Sequence, residues 1–344
     1  MRAPVPVWKK LLMSVLSVVF TLALVEGGAR LWSFAQYGVR QVDGQPQGLY
    51  ISAPGEAPRL RPGVHLKGLL YEVSVNSIGT RGPELLATKP PNGLRVWCIG
   101  GSTTFDIYAP DDAHTWPAVA QTHLQEAFPD KVVEVINAGV PGEILEGSAN
   151  ALHAHGRRLG IDVVVLYHGA NDLRAISMQE QGPPPGGFGP PLLRSMELLS
   201  VWMQRRGIGV DAMPDRPTSQ HHLRQLEQRL QRMEREVSGL GAVPIYATHA
   251  HRIADDATGA ALNRQSGELG ILLGMSPTSS RDWFAMYNGL VQRRAQQTRQ
   301  PLADVRAAVG SDPALWGDAT HFSAEGSAIA GKVVADAIIK KLRR

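Results

Sequence analysis

Two segments far apart in the chain carry the residue types needed to make and relay a nucleophile. Gly100-Gly101-Ser102-Thr103-Thr104 follows the apolar run 94–99, and Trp316-Gly317-Asp318-Ala319-Thr320-His321-Phe322-Ser323 lies near the C-terminus. A serine just past a strand end, after two glycines, exposes its hydroxyl at the edge of a sheet, on or beside a helix N-terminus. That hydroxyl is a weak nucleophile until a base takes its proton, and the base must itself be oriented by a third group. Asp318 and His321, three residues apart on one loop, can meet. The carboxylate would then fix the imidazole tautomer and stabilise the imidazolium.

Two further segments could stabilise the charge that such an attack develops. The run 132–136 leads into Asn137-Ala138-Gly139-Val140-Pro141-Gly142, where a glycine lets a backbone N–H approach a ligand with no Cβ in the way. The run 161–167 leads into His168-Gly169-Ala170-Asn171-Asp172, and an Asn side-chain amide can donate to an oxyanion beside the backbone N–H groups of Ser102 and Gly139. Each segment taken singly is also an ordinary turn or cap. Position decides between the two readings.

The remaining reactive side chains are less committed. His249 and His251 follow the run 243–248 and are candidates for lining the substrate. His168 precedes the Gly169–Asp172 block and is left without a role, while a structural role is expected for Asp304. His153 and His155, two apart on a helix, face different ways, and His221-His222 opens a helix as a solvated pair. No dedicated metal cluster is visible, and no cofactor is called for. The single cysteine, Cys98, lies inside an apolar run and reads as a small core residue.

These segments need elements to position them. Short apolar runs at 94–99, 132–136, 161–167, 243–248 and 302–305 alternate with helical spacings at 116–128, 146–159, 219–240, 281–299 and 324–342. Five strands separated by helices imply a parallel sheet covered on both faces, and in such sheets ligands bind beyond the carboxyl ends of the strands. All four segments fall at those ends.

Gly100-Gly101-Ser102, Asn137-Ala138-Gly139, Gly169-Ala170-Asn171-Asp172 and Asp318–His321 occur in the order of the four blocks that define the SGNH, or GDSL-like, hydrolases. The resemblance runs from about residue 94 to the C-terminus. It implies a flavodoxin-like three-layer α/β/α sandwich, a Ser102-His321-Asp318 triad and an oxyanion hole from Ser102, Gly139 and Asn171. Gly-Gly-Ser-Thr stands where the type lipases have Gly-Asp-Ser. Together with Asn76-Ser77-Ile78-Gly79-Thr80-Arg81-Gly82 and an N-terminal apolar segment, this resembles a membrane-anchored bacterial branch of the family.

That N-terminal segment has Arg2, Lys9 and Lys10 before the uncharged run 11–25, then Glu26, Gly27, Gly28 and Arg30. A positive flank before an apolar run leaves the N-terminus in the cytoplasm and exports the chain beyond the run. Cleavage near Gly27–Ala29 would release a secreted protein. Glu26 and Arg30 sit poorly around a cleavage site, so a signal anchor over 1–32 is the preferred reading, with the catalytic domain periplasmic. A juxtamembrane linker and small extended subregion would then cover 33–93, with a short strand at 71–76, and the hydrolase domain 94–344. Within that domain, 182–218 is an insertion dense in Pro and Gly with an apolar stretch at 192–203, read as a lid or flap.

The chain has 344 residues, is 43% hydrophobic and carries a net charge of only +4. It is therefore long enough for one large core, and its charge gives no ground for a nucleic-acid partner. The expected activity is cleavage of carboxylic esters, on O-acylated glycans, lipids or small molecules. An O-acyltransferase needs the same groups and remains open, as does a glycan-binding protein that merely keeps the fold.

Overall fold

The computed structural model describes residues 6–37, 41–42, 45–46, 48–51, 59–181, 194–206, 208 and 213–343. The Pro/Gly-dense part of the expected insertion, 182–193, therefore lies outside the described residues.

Five parallel strands form the central sheet: β1 (Gly93–Gly100), β2 (Val132–Gly139), β3 (Val163–Tyr167), β4 (Val243–Ala247) and β5 (Leu302–Ala303). They lie in the order 2-1-3-4-5, that of flavodoxin-like sheets, whose binding crevice opens where the order reverses, between β1 and β3. β3 is buried along its whole length, which explains its uninterrupted Val-Val-Val-Leu-Tyr composition: a strand covered on both faces has no solvent side to alternate with. The register aligns Gly100 with both Gly139 and Tyr167, so the chain leaves β1, β2 and β3 at one level.

Helices cover both faces. On one side α3 (Trp116–Ala127) and α11 (Ala324–Leu342) pack Trp116, Leu124, Val334 and Ile338 onto Val96 and Val165. On the other, α4 (Leu145–Leu159), α7 (Gln220–Leu240), α8 (Gly259–Leu273) and α9 (Pro277–Thr298) bury Leu152, Met233, Leu269 and Trp283 with Trp97 and Val164. This is the expected α/β/α sandwich. Two shorter helices complete the strand ends: α2 (Ser102–Phe105) after β1, and α5 (Ala170–Gln181) after β3.

Several boundaries differ from the sequence reading. α8 was not anticipated, because Gly259, Gly267 and Gly270 dilute its helical signal; Gly267 and Gly270 are buried, where small residues allow close packing. α9 starts at Pro277, capped by the Ser276 hydroxyl, rather than at 281. β5 stops at Ala303 because Asp304 turns the chain. Its carboxylate accepts from Ala307 N–H and from the Thr248 hydroxyl, opening α10 (Val305–Val309).

Ahead of the sheet, His65–Lys67 and Glu72–Ser74 pair antiparallel, shorter than the strand expected at 71–76. Leu60, Leu66, Tyr71, Val73 and Val75 form a small core of their own, which reaches Phe105 of α2. The N-terminal helix α1 (Val7–Tyr37) contains an 18-residue stretch of mean hydropathy 2.0, none of it buried. At 1.5 Å per residue it is long and apolar enough to cross a bilayer.

Candidate active site

Ser102 opens α2, and Gly101 is the residue before it. Helix α2 is only four residues long, so most of its amides stay unpaired within it. Thr104 and Phe105 N–H donate to Gly101 O, and Ser102 N–H makes no bond among the described residues. Phe105, Thr103 and Thr104 are buried, which fixes the turn beneath the exposed edge of Ser102.

Asp318 and His321 sit on a loop closed by a bridge between Trp316 and Phe322, with Gly317 N–H donating to His321 O at 2.8 Å. His321 Nε2 lies 2.7 Å from Ser102 Oγ, and its Nδ1 lies 2.7 Å from Asp318 Oδ2. The second carboxylate oxygen of Asp318 accepts from Thr320 N–H and His321 N–H at 2.8 and 2.9 Å. Burial opposes the charge on Asp318, but the imidazole and these two backbone donors outweigh it and hold the carboxyl down at about 2. Burial likewise opposes the imidazolium, yet the Asp318 charge and hydrogen bond raise His321 above the ordinary histidine range. With Asp318 ionised, Nδ1 carries the proton it donates, and Nε2 is left to accept from the serine hydroxyl. Tyr108 sets its ring edge-on to the imidazole, with centroids 5.8 Å apart.

The three expected oxyanion donors do not stand alike. Asn171 lies in the first turn of α5, and its amide donates to Glu143 O at 3.0 Å, leaving the second amide hydrogen to point elsewhere. That amide lies close above Gly101: a Cβ there would come within 2.4 Å of Asn171 Nδ2, so glycine at 101 is what lets the strand ends of β1 and β3 meet. Gly139 is different. Its N–H donates to Asn137 Oδ1 at 3.1 Å, and its α-carbon is pressed against the Phe105 amide. The glycine three residues on, Gly142, has an open face, a left-handed backbone with φ of 86°, and an N–H that makes no bond among the described residues. It immediately precedes Glu143, whose carbonyl holds Asn171. The sequence contained a signal for it: two glycines in one block, of which the second lies beyond the strand rather than in it.

His249 and His251 follow β4 as expected but do not line an open surface. They are 1% and 3% exposed. His249 stacks between Tyr167 and Phe284, with Asn288 pinning its backbone through both its N–H and its carbonyl. Burial pushes its imidazole down to about 3, so it is a neutral ring that packs. His168 is buried between the Ser148 hydroxyl and the Asp172 carboxylate.

Two residues beneath the site carried no role in the sequence reading. Arg81 has a fully buried side chain. It donates through Nε to Asp112, through Nη1 to the carbonyls of Phe105 and Asp106 at 2.9 Å, and through Nη2 to Glu72 O. It thereby ties the extended subregion to the far end of the helix that Ser102 begins. Asp106 ends α2 in a left-handed conformation with φ of 69°. Its carboxylate accepts from Trp116 N–H and from the Ser327 hydroxyl at 2.7 Å, joining α2 to α11, the helix after the His321 loop. Its burial raises its pKa to about 6.

No curated protein matches the sequence. Solved structures resemble it over most of their length at low identity. A lipase/acylhydrolase from Enterococcus faecalis shares 18% identity, with a TM-score of 0.44 over 72% of this chain and 96% of that one. A variant of an acetyl xylan esterase from Geobacillus stearothermophilus shares 16%, with a TM-score of 0.44 over 75% and 97%. An alpha/beta hydrolase enzyme, LAE5, from the metagenome of Lake Arreo shares 17%, with a TM-score of 0.44 over 72% and 94%. The model of the GDSL-like lipase/acylhydrolase family matches residues 98–329, more than half of the chain, from β1 into α11. The chain belongs to that family, and it is an ester-hydrolysing enzyme.

Proposed function

We propose that the protein is a serine esterase held at a membrane with its hydrolase domain outside the cytoplasm, and that Ser102, His321 and Asp318 are its catalytic triad. The observation that carries the reading is the unbroken chain from Ser102 Oγ through His321 to Asp318, at 2.7 Å for each contact. His321 Nε2 takes the hydroxyl proton as Ser102 Oγ attacks the ester carbonyl. The developing oxyanion accepts from Ser102 N–H, the Asn171 amide and, in place of the expected Gly139 N–H, Gly142 N–H. His321 then protonates the leaving alcohol, and a water activated by the same imidazole releases the acid from the acyl-enzyme. Ester-bearing glycans, lipids and small esters are the substrate classes. Arg2, Lys9 and Lys10 ahead of the uncharged run 11–25 of α1 support a cytoplasmic N-terminus.

Purified full-length protein is expected to hydrolyse p-nitrophenyl acetate, and Ser102→Ala to lower kcat by several orders of magnitude with KM little changed. Full activity in Ser102→Ala would refute the assignment. Sugar acceptors added to the same assay would expose acyl transfer as ester product formed at the expense of free acid.

A further inference from the structure

Large apolar side chains are exposed outside the span in an uneven way. The most exposed of them in the rest of the chain, Leu69 at 78%, stands with Leu70 at the tip of the turn between the two short antiparallel strands. That turn is tied to α1, since Leu69 N–H donates to Ala35 O at 2.7 Å. A second group lies on α6 (Arg194–Arg205), where Met196, Leu199 and Trp202 are exposed. This helix is tied to α1 as well. The Glu26 carboxylate accepts from Arg194 and Ser195 N–H at 2.9 Å, so it caps α6 from another helix, and Arg194 Nε donates to the Ser33 hydroxyl. On α1 itself, Trp32 is exposed between these two attachments.

Three segments distant in sequence thus bring bare apolar side chains to one place, the stretch 26–35 just past the uncharged run of α1. Exposed apolar surface gathered in this way marks an interaction site rather than ordinary scatter. We propose that the turn bearing Leu69 and Leu70, the outer face of α6 and the end of α1 form an apolar collar that seats the hydrolase domain on the bilayer surface. The proposal rests on α1 being a membrane anchor.

Continuity and charge favour lipid over a protein partner. The collar extends the lipid-facing surface of α1 without a break in attachment. Its apolar tips are also bordered by a cation that suits anionic headgroups: Arg206, whose guanidinium lies 3.8 Å from the Trp202 ring. An indole with an apolar body and a polar edge belongs at that depth. Helix α6 packs on α8, so the collar is joined to the helical layer of the hydrolase domain.

The test uses the full chain in phosphatidylcholine–phosphatidylglycerol vesicles. Cys98 is buried and its thiol is held protonated by burial, so a single introduced cysteine takes a fluorescent label selectively. Leu16→Cys reports the span, Leu69→Cys and Leu199→Cys the collar, and Lys332→Cys an exposed site on α11. Nitroxide lipids labelled high in the acyl chain should quench the Leu69 and Leu199 positions about twofold, as for an interfacial helix. The Leu16 position should respond to nitroxides deep in the chain and the Lys332 position to neither. If Leu16 is quenched while Leu69 and Leu199 behave like Lys332, the collar is refuted and the anchor stands. Shielding of Leu199 from aqueous iodide without quenching by lipid means a protein occupant and also overturns it. If Leu16 itself is unquenched, the anchor reading fails and the collar falls with it.

Discussion

Replacing Arg81 by alanine tests whether the site is held from below. The substitution deletes a fully buried guanidinium that makes four hydrogen bonds: one to Asp112, two to the carbonyls that end α2 and one to Glu72 O. Breaking a buried ion pair by removing one partner costs about 3–5 kcal/mol. Asp112 retains 20% exposure and a bond from Ser74 N–H, which places its share near the lower end. Phe105 O keeps a bond from Asn137 Nδ2 and Asp106 O one from Ala109 N–H, so Glu72 O is the carbonyl left stranded and adds about 1 kcal/mol. With about 3 kcal/mol from the ion pair, the sum is about 4 kcal/mol. At about 2–4 °C per kcal/mol, thermal unfolding of the full chain in detergent, followed by circular dichroism, should shift down by about 8–16 °C.

The same variant should lose activity below its unfolding temperature. Helix α2 is four residues long, and its far end is what Arg81 grips; released, Ser102 is no longer held 2.7 Å from His321. A displacement of about 1 Å costs on the order of 100-fold in rate. Arg81→Lys keeps the charge but not the fork, so it can serve Asp112 or the carbonyls and should fall between the two. A midpoint within about 2 °C of wild type, with kcat unchanged, would refute the clamp.

Other outcomes rest on the same geometry. Asp318→Asn removes the charge that raises His321, so the acid limb of kcat/KM should move to lower pH while kcat drops by about four orders of magnitude; a limb that stays in place contradicts the pairing. In the folded state Asp318 is depressed to about 2, so the stability it contributes is full above the ordinary carboxylate range. It should be lost as pH falls toward 2, a dependence absent from the asparagine variant in acid titrations. Asn171→Ala should lower kcat by about 100- to 1000-fold in steady-state assays, with little change in KM. Gly101→Ala should act in the same direction, because its Cβ would lie 2.4 Å from the Asn171 amide nitrogen; wild-type kcat in that variant would exclude the close approach.

Much of this protein is legible in its sequence because local pattern and strand order suffice for it. Apolar runs of strand length alternating with helical spacing specify a parallel sheet, and residues just past strand ends fall on its binding edge whatever the detailed packing. Ser102 and Asn171 follow β1 and β3 directly, whereas α10 intervenes between β5 and the loop of Asp318 and His321, which the resemblance of the four blocks singles out instead. Where the pattern was diluted, as by the glycines of α8, the element was invisible, since its helicity rests on burial rather than propensity.

Tertiary structure decided what depends on contacts between distant segments. Gly139 and Gly142 share one block of the sequence, and the bond from Gly139 N–H to Asn137 and the open face at Gly142 are what tell their roles apart. His249 lies at the predicted edge but is enclosed by Tyr167 and Phe284, because neighbouring elements, not its own strand, determine what covers it. Arg81 and Asp106 acquire meaning from partners 25 and 221 residues away, the α2 carbonyl that Arg81 grips and the Ser327 that Asp106 holds. A sequence specifies which groups are available for hydrogen bonding. Their pairing is settled by the fold, since each buried group left unpaired costs about 1–3 kcal/mol out of a stability of only about 5–15 kcal/mol.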